Sequence, residues 1–516
     1  MTESTGSEGR GRWQITTAIA VVILSLALWL RTVALGSEGF WLDEVYSASF
    51  ANLSLLGTTW GVLLLDVHPP LYYLQLNVWG WIGHGDVWLL LNSVFWSAAT
   101  LLTVFFGTTR HFGTRAGLFA LSFCAVMGSE IYFAHELRMY AMYSCLSVLS
   151  WIAANRFCAD YRFRTAVPLI VLLAAISAIH GASILAVSAA LLYVFPAGNR
   201  HEVRRLLPTW SGTAAVVACA YLPWALNATI RIRHLPWLHE SGASIYGASH
   251  TLGGWIIGYG NASLPQWVAP AATIVVILGL IAAVVSLPRL LRMVACFVAW
   301  PLIFGALLCL AVQPIWLDRT FAFCAPFVAI AFGAAMAHLT LTLYARIGLI
   351  TTVMSVLGWL AYMQAITPYK LQHYRDLAHY LAEHAQTGEI IYAPDSATFW
   401  GVSRYLIGPD WGSSILLHDP AEMSYHKKWQ MLSNLLGVDR LRRLGLLPEV
   451  RRLDSFRIPM FIGWTPLPEL QTARAVWLIN SDGVPTIDPS PCADRYPVPS
   501  NFGRLLAYHM TCRPIE

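Results

Sequence analysis

HPPLYYLQLNVWGWIG, residues 68–83, is the stretch on which the fold of this chain turns. It is apolar enough to enter a bilayer. It is short for a crossing, which takes about 20 residues of helix. Counted as a span, it moves every later loop to the other side of the membrane. Counted as a helix that lies in the interface or dips in and returns, it leaves them in place.

The rest of the chain decides between these. Of its 516 residues 57% are hydrophobic and only 12% charged, with 22 Trp. A soluble domain carries about 25% charged residues, so the composition is that of a polytopic membrane protein. Arg10 and Arg12 precede an apolar run from Trp13 to Leu35. Small residues at Ala34 and Gly36 make a cleaved signal peptide conceivable, but the run is long enough to be kept as a span. Further spans read at 87–108, 116–134, 139–155, 166–180, 182–197, 209–226, 267–287, 293–312, 320–341 and 347–364. With the N-terminus inside, the inner loops hold Arg110 and Arg115, Arg156, Arg162 and Arg164, Arg200, Arg204 and Arg205, Arg289 and Arg292, and Arg346. Positive charge collects on the cytoplasmic side, and five loops agree. Residues 68–83 are therefore an interfacial or re-entrant helix, whose Trp and Tyr suit that position. The fold class is a polytopic α-helical membrane protein with about 11 transmembrane helices.

The outer face then carries residues 36–86, a link at 129–140, a turn near His180, a loop at 227–266, a link at 313–319 and everything past Thr367. YRDLAHYLAEHA (374–385) has helical amphipathic spacing. GEIIYAP (388–394) and AVWLIN (475–480) read as strands. The chain divides into a transmembrane domain, 1–366, and an extracytoplasmic α/β domain, 367–516. Seven of the nine Cys lie in or near apolar spans; Cys492 and Cys512 stand in the polar C-terminal part and either pair or stay as free thiols. The net charge of +5 with no long basic run argues against a nucleic-acid partner.

Four polar clusters meet the outer face: Asp43–Glu44 in FWLDEVYSASF (40–50), His68-Pro69-Pro70, HELRMY (135–140), and Asp318-Arg319. Ionisable groups at helix ends in a membrane protein are functional candidates. One such charge is more often an interfacial residue that snorkels to water. Four on one face favour a site, with the two acids of the first loop facing water.

WLDEVYSA, HPPLYYL, HELRMYA, DRTFAFCAPF and YRDLAHYLAEHAQTGEIIYAPD together resemble bacterial members of the GT-C glycosyltransferase superfamily. The nearest group is that of the protein O-mannosyltransferases and the aminoarabinose and galacturonic acid transferases of lipid A. The resemblance implies an inverting transferase of the cell membrane. Its donor would be a polyprenyl-phosphate monosaccharide and its acceptor a glycolipid, polysaccharide or protein of the envelope, met on the outer side. It also implies that the first-loop acid, here Asp43, is catalytic, and that basic residues at outer helix ends hold the donor phosphate. No large β-trefoil insert is recognisable, which tilts the acceptor away from protein.

The residue chemistry agrees. A carboxylate taking the acceptor proton contributes about 10²–10⁴-fold, and Asp43 is assigned that role. Glu44 orients a backbone amide, binds acceptor, or shares a divalent cation; the reading leans against a metal, and Asp43 and Glu44 are the pair that would hold one. Arg138 and Arg319 suit phosphate oxygens bidentately, with His68 and His180 as weaker cations. Tyr72, Glu136, Tyr140 and Asp318 are sugar contacts, and Tyr73 a membrane anchor. Loop 227–266, with Arg231, Arg233, His234, Trp237, His239 and Glu240, is either a lid or a plain connection, and Asn261-Ala262-Ser263 matches a glycosylation pattern. The competing reading is a lipid or glycolipid transporter, which would show repeat symmetry and broken helices near mid-membrane. No repeat is evident.

Overall fold

The computed structural model describes residues 4–66, 68–195, 210–219, 244–259, 264–311, 316–386, 389–393, 396–407, 460–462, 475–481, 492–497 and 504–512, and a few single residues between 204 and 222. Arg231, Arg233, His234, Trp237, His239, Glu240 and the Asn261–Ser263 pattern fall outside them. The chain forms two compact units. The first holds Met1–Leu35, Asp66–Tyr72 and Leu90–Thr367; the second holds Gly36–Leu65, Tyr73–Leu89 and Pro368–Glu516.

The helices are α1 Ser4–Thr32, α2 Leu42–Ala51, α3 Leu55–Leu65, α4 Leu71–Gly80, α5 Asp86–Phe112, α6 Thr114–Val126, α7 Gly128–Ala134, α8 Tyr140–Asp160, α9 Phe163–Ser177 and α10 Ile184–Val194. There follow α11 Trp210–Cys219, α12 Ile245–Ile257, α13 Val268–Ser286, α14 Pro288–Ala311, α15 Ala325–His338 and α16 Leu343–Ile366. Among the described residues six helices are long and apolar enough to cross a membrane, or seven if the bent pair α6–α7 is one span. The chain is thus a multi-pass membrane protein. The remaining expected spans coincide with α8 and with the shorter apolar helices α9, α10 and α11. On α13 Ile274, Leu278, Ile281 and Val285 stand exposed along one side, the spacing of a lipid-facing stripe. By contrast α15 is buried along most of its length. It closes on α6 because Gly333 has no side chain: a Cβ there would lie 2.2 Å from the Ala120 nitrogen. Small residues at such crossings let backbones touch.

Two readings of the first unit need correction. The span expected at 116–134 is not straight; it bends by 60° between α6 and α7, with Met127 extended at φ −69°, ψ 121°. Gly128 is drawn against another backbone, since a Cβ there would sit 2.2 Å from the Gly258 nitrogen. The break orphans the last carbonyls of α6. Arg31, fully buried on α1, supplies the donors. Its guanidinium donates to Cys124 O at 3.1 Å and Ala125 O at 3.0 Å, and also to Ala27 O and Ser97 Oγ. The carboxylate of Glu130 on α7 lies within electrostatic reach of it. Second, the loop expected at 227–266 contains a helix, α12, whose Ser244 side chain caps it by accepting the Gly247 N–H at 2.9 Å.

The deciding stretch, 68–83, yields α4, which at ten residues cannot cross a bilayer. Within the second unit Tyr73 is fully buried, its ring 5.1 Å from Phe50, so it packs a core and does not anchor at a headgroup layer. Asn77 Nδ2 donates to Ala51 O and Leu53 O and fixes the α2–α3 turn on α4.

The C-terminal part has α17 Tyr374–His384, α18 Ser396–Ile407 and strands β1 Glu389–Ala393, β2 Met460–Ile462, β3 Ala475–Ser481, β4 Cys492–Pro497 and β5 Leu505–Cys512. The sheet order is β2-β1-β3-β5-β4. β1 is parallel to β2 and β3; β5 is antiparallel to β3 and β4, with Cys492 opposite Cys512. Tyr374, Leu377, Ala378 and Leu381 form the buried stripe that the amphipathic pattern of α17 demands. Both strands read from the sequence are present.

Candidate active site

Within the first unit a cationic cluster assembles from four separate segments. Asp66 Oδ1 accepts the His68 N–H at 2.8 Å and, with Pro69 and Pro70 following, fixes the local backbone. The His68 ring lies 4.9 Å from that of His180, which stacks on Tyr143 at 5.2 Å and 9° and has Tyr140 at 5.8 Å. Gly181 N–H donates to His68 Nδ1 at 3.2 Å, and Ala182 N–H donates to His180 Nδ1 at 3.0 Å. With both Nδ1 atoms accepting, the proton of each neutral ring resides on Nε2.

Burial holds the His68 imidazole well below the ordinary histidine range, helped by the charges of Arg138 and Arg319. The same holds for His180, where burial leads, followed by His68 and the two arginines. These histidines were expected as weak cations. Burial first, and then the two guanidiniums, disfavours the charged form of both rings. The charge belongs to Arg138 and Arg319.

HELRMY forms a run of tight bends between α7 and α8, with Arg138 N–H donating to Glu136 O at 2.8 Å. Arg138, Glu136 and Tyr140 are buried. The Glu136 carboxylate hydrogen-bonds the Tyr132 hydroxyl, and Arg319 acts on that hydroxyl electrostatically. Ser93 Oγ donates to Glu136 O at 2.5 Å. Tyr72, at the start of α4, is buried. Asp318 opens a 3-10 helix, Asp318–Cys324. Its Oδ1 accepts from Thr251 Oγ1 at 2.6 Å and its Oδ2 bonds His250 Nδ1 at 2.7 Å. The sequence offered no sign of His250, which sits on a helix read as loop. Its bond to Asp318 raises its pKa, and the ring is partly exposed. Two guanidiniums within electrostatic reach of two imidazoles make a set of groups suited to an anionic group with several oxygens.

The second unit carries Asp43 and Glu44 on the first turn of α2, where the helix N-terminus favours negative charge. They do not both face water. Glu44 is fully buried; its Oε2 accepts the Trp41 N–H at 3.1 Å and pairs with Lys370 Nζ at 2.8 Å. Of the three roles left open for it, orienting an amide is the one with visible geometry. Asp43 is half-buried.

Sequence reasoning missed the residues that hold this loop. Glu38 accepts the backbone N–H groups of Tyr369 and Lys370 at 3.1 and 3.0 Å. Arg375 donates to Gly36 O at 2.9 Å and to Ser37 O. Tyr405 Oη accepts the Phe40 N–H at 2.6 Å and donates to Asp86 Oδ2, while Arg404 pairs with Asp86 at 2.7 Å and lies over the Phe40 ring. Burial pushes the Tyr405 phenol up, and the Asp86 charge adds to this. Lys370 lies just past the last expected span, outside every motif the sequence offers. Among the described residues no three His, Cys, Asp or Glu side chains gather as a metal ion would require.

No protein-family model matches the sequence, and no curated protein matches it. Solved structures do. ArnT from Cupriavidus metallidurans bound to undecaprenyl phosphate superposes with TM-score 0.55 at 14% identity, over 96% of this chain and 98% of that one. Its apo state gives 0.56 at the same identity and coverage. AglB, the oligosaccharyltransferase of Archaeoglobus fulgidus in complex with an inhibitory peptide and a dolichol-phosphate, gives 0.47 at 11% identity, over 91% and 70%. With the helical membrane unit and the mixed sheet already in view, the near-complete overlap shows that this chain shares the fold of ArnT.

Proposed function

We propose that the protein is an inverting glycosyltransferase that moves a monosaccharide from a polyprenyl-phosphate donor to an envelope glycolipid, polysaccharide or protein. The observation that carries this is the grouping of Arg138, Arg319, His68 and His180, a set suited to a phosphate that becomes the leaving group. The fold it shares with ArnT, whose solved complex holds undecaprenyl phosphate, supports the donor class. Lipid phosphate needs no acid to leave; cations that meet its growing charge suffice. Asp43 is the general base for the acceptor hydroxyl, and Tyr72, Glu136 and Tyr140 meet the sugar. We take the chain to be a bacterial inner-membrane protein of 11 spans, transmembrane over 1–366, with residues 367–516 outside.

The test is Asp43→Asn in purified protein with donor lipids extracted from native membranes. Sugar transfer is expected to fall by about 10²–10⁴-fold, the worth of a general base. Wild-type turnover in that variant would remove Asp43 as the base. A second reading, a lipid flippase, has one observation in its favour, the broken α6–α7 span. Movement of the lipid across vesicles without any transfer of sugar would favour it.

A further inference from the structure

We infer that Lys370 is a positioning residue for Asp43, acting through its buried ion pair with Glu44. The inference rests on the proposed role of Asp43 as base, and its geometry lies wholly within the second unit. Glu44 and Asp43 are adjacent on the first turn of α2, so what fixes one limits the other. Glu44 is held at two points, the Trp41 N–H and the Lys370 ammonium.

The pair is the last of several contacts in which residues 369–375 grip residues 36–44. Glu38 takes two backbone N–H groups, Arg375 takes two backbone carbonyls, and the Lys370 ammonium closes on Glu44 and lies 5.8 Å over the Phe40 ring. The backbone contacts set where the loop runs; the ion pair reaches the helical turn that bears the acid.

Energetics favour this role over a purely structural one. A buried ion pair gives back in attraction about what desolvation took, and an apolar pair of like volume often serves stability as well or better. What it adds is direction: an ammonium and a carboxylate at 2.8 Å hold one geometry, whereas a methyl-lined contact tolerates several. A shift of about 1 Å in a reacting group can cost 10²-fold in rate.

The experiment uses full-length protein in lipid nanodiscs with donor lipids extracted from native membranes. It compares wild type, Lys370→Met, Glu44→Gln, the double variant, Lys370→Arg and Asp43→Asn. Lys370→Met and Glu44→Gln are each expected to lower kcat by about 10–100-fold with donor KM unchanged. The double variant should lose no more than the worse single, because both act through one contact. Lys370→Arg should keep most of the rate. Hydrogen exchange over residues 40–47 should rise in both single variants. Losses that multiply in the double variant, a changed donor KM, or an unchanged kcat would each overturn the inference. If Lys370→Met does not fold, the double variant and Lys370→Arg carry the comparison, since neither leaves a lone buried charge. Turnover surviving in Asp43→Asn would sink the base assignment alone, and the exchange data would still say whether the pair orders the loop.

Discussion

At the scale of single residues the charges divide by what surrounds them. Arg138 and Arg319 keep their charge because a guanidinium does not titrate in any ordinary range. Burial, and after it the charge of the two arginines, disfavours the charged form of His68 and His180, which favours N–H donation without charge. Arg138→Ala is therefore expected to reduce donor kcat/KM by about 10²–10³-fold, the usual loss on removing one donor from a developing oxyanion. Acceptor KM should stay constant. Steady-state kinetics with each substrate varied in turn checks this, and an unchanged donor kcat/KM would take Arg138 out of the phosphate site. The sequence disclosed these cations because charge is rare in an apolar chain and helix ends concentrate it. It did not disclose the state of the histidines, which depends on how deeply the fold buries each ring and which charges it brings near. Nor did it disclose Lys370, since no motif surrounds it and its partner Glu44 lies near the other end of the chain.

Elements show where hydropathy succeeds and where it fails. Apolar runs located α1, α5, α13 and α16 because length alone decides them. The bend in α6–α7 escaped because Met127 and Gly128 lie inside an apolar run and a window average does not see one extended residue. Gly128 and Glu130 were the available signs. α12 escaped for another reason: it has 13 residues, too few to register as a span. The bend depends on Arg31, so Arg31→Met is predicted to destabilise the protein. It leaves the Cys124 and Ala125 carbonyls without donors, at about 1–3 kcal/mol for each buried group. Arg31→Lys should fall between, because one ammonium cannot reach every acceptor the fork serves. Thermal unfolding in detergent reads this as a lower midpoint for both, larger for Met; equal midpoints for all three proteins would refute it.

For the whole molecule the orientation follows from the decision about residues 68–83. The ten-residue α4 agrees with the Arg-bearing loops in leaving those residues uncounted as a span. Arg164 and Glu383 are both exposed, and the proposed topology puts them on opposite sides. In a cysteine-free background, Glu383→Cys should react with a membrane-impermeant maleimide on cells whose outer membrane is made permeable, and Arg164→Cys only after lysis of the inner membrane. The reverse pattern would invert the topology.

Arg31 also sets an order of events during synthesis. Its most distant acceptor, Ala125, lies 94 residues further along the chain. Ribosomes add about 5–20 residues per second, so the first span waits several seconds in the membrane before the carbonyls that Arg31 caps exist. Through that interval the guanidinium, one residue from the end of α1, must stay hydrated at the surface or be sheltered by the insertion machinery. The helix therefore enters as a provisional anchor and seats only when α6 arrives. Replacing it with an unrelated apolar segment would preserve insertion yet strand the folding of everything that packs against the bend.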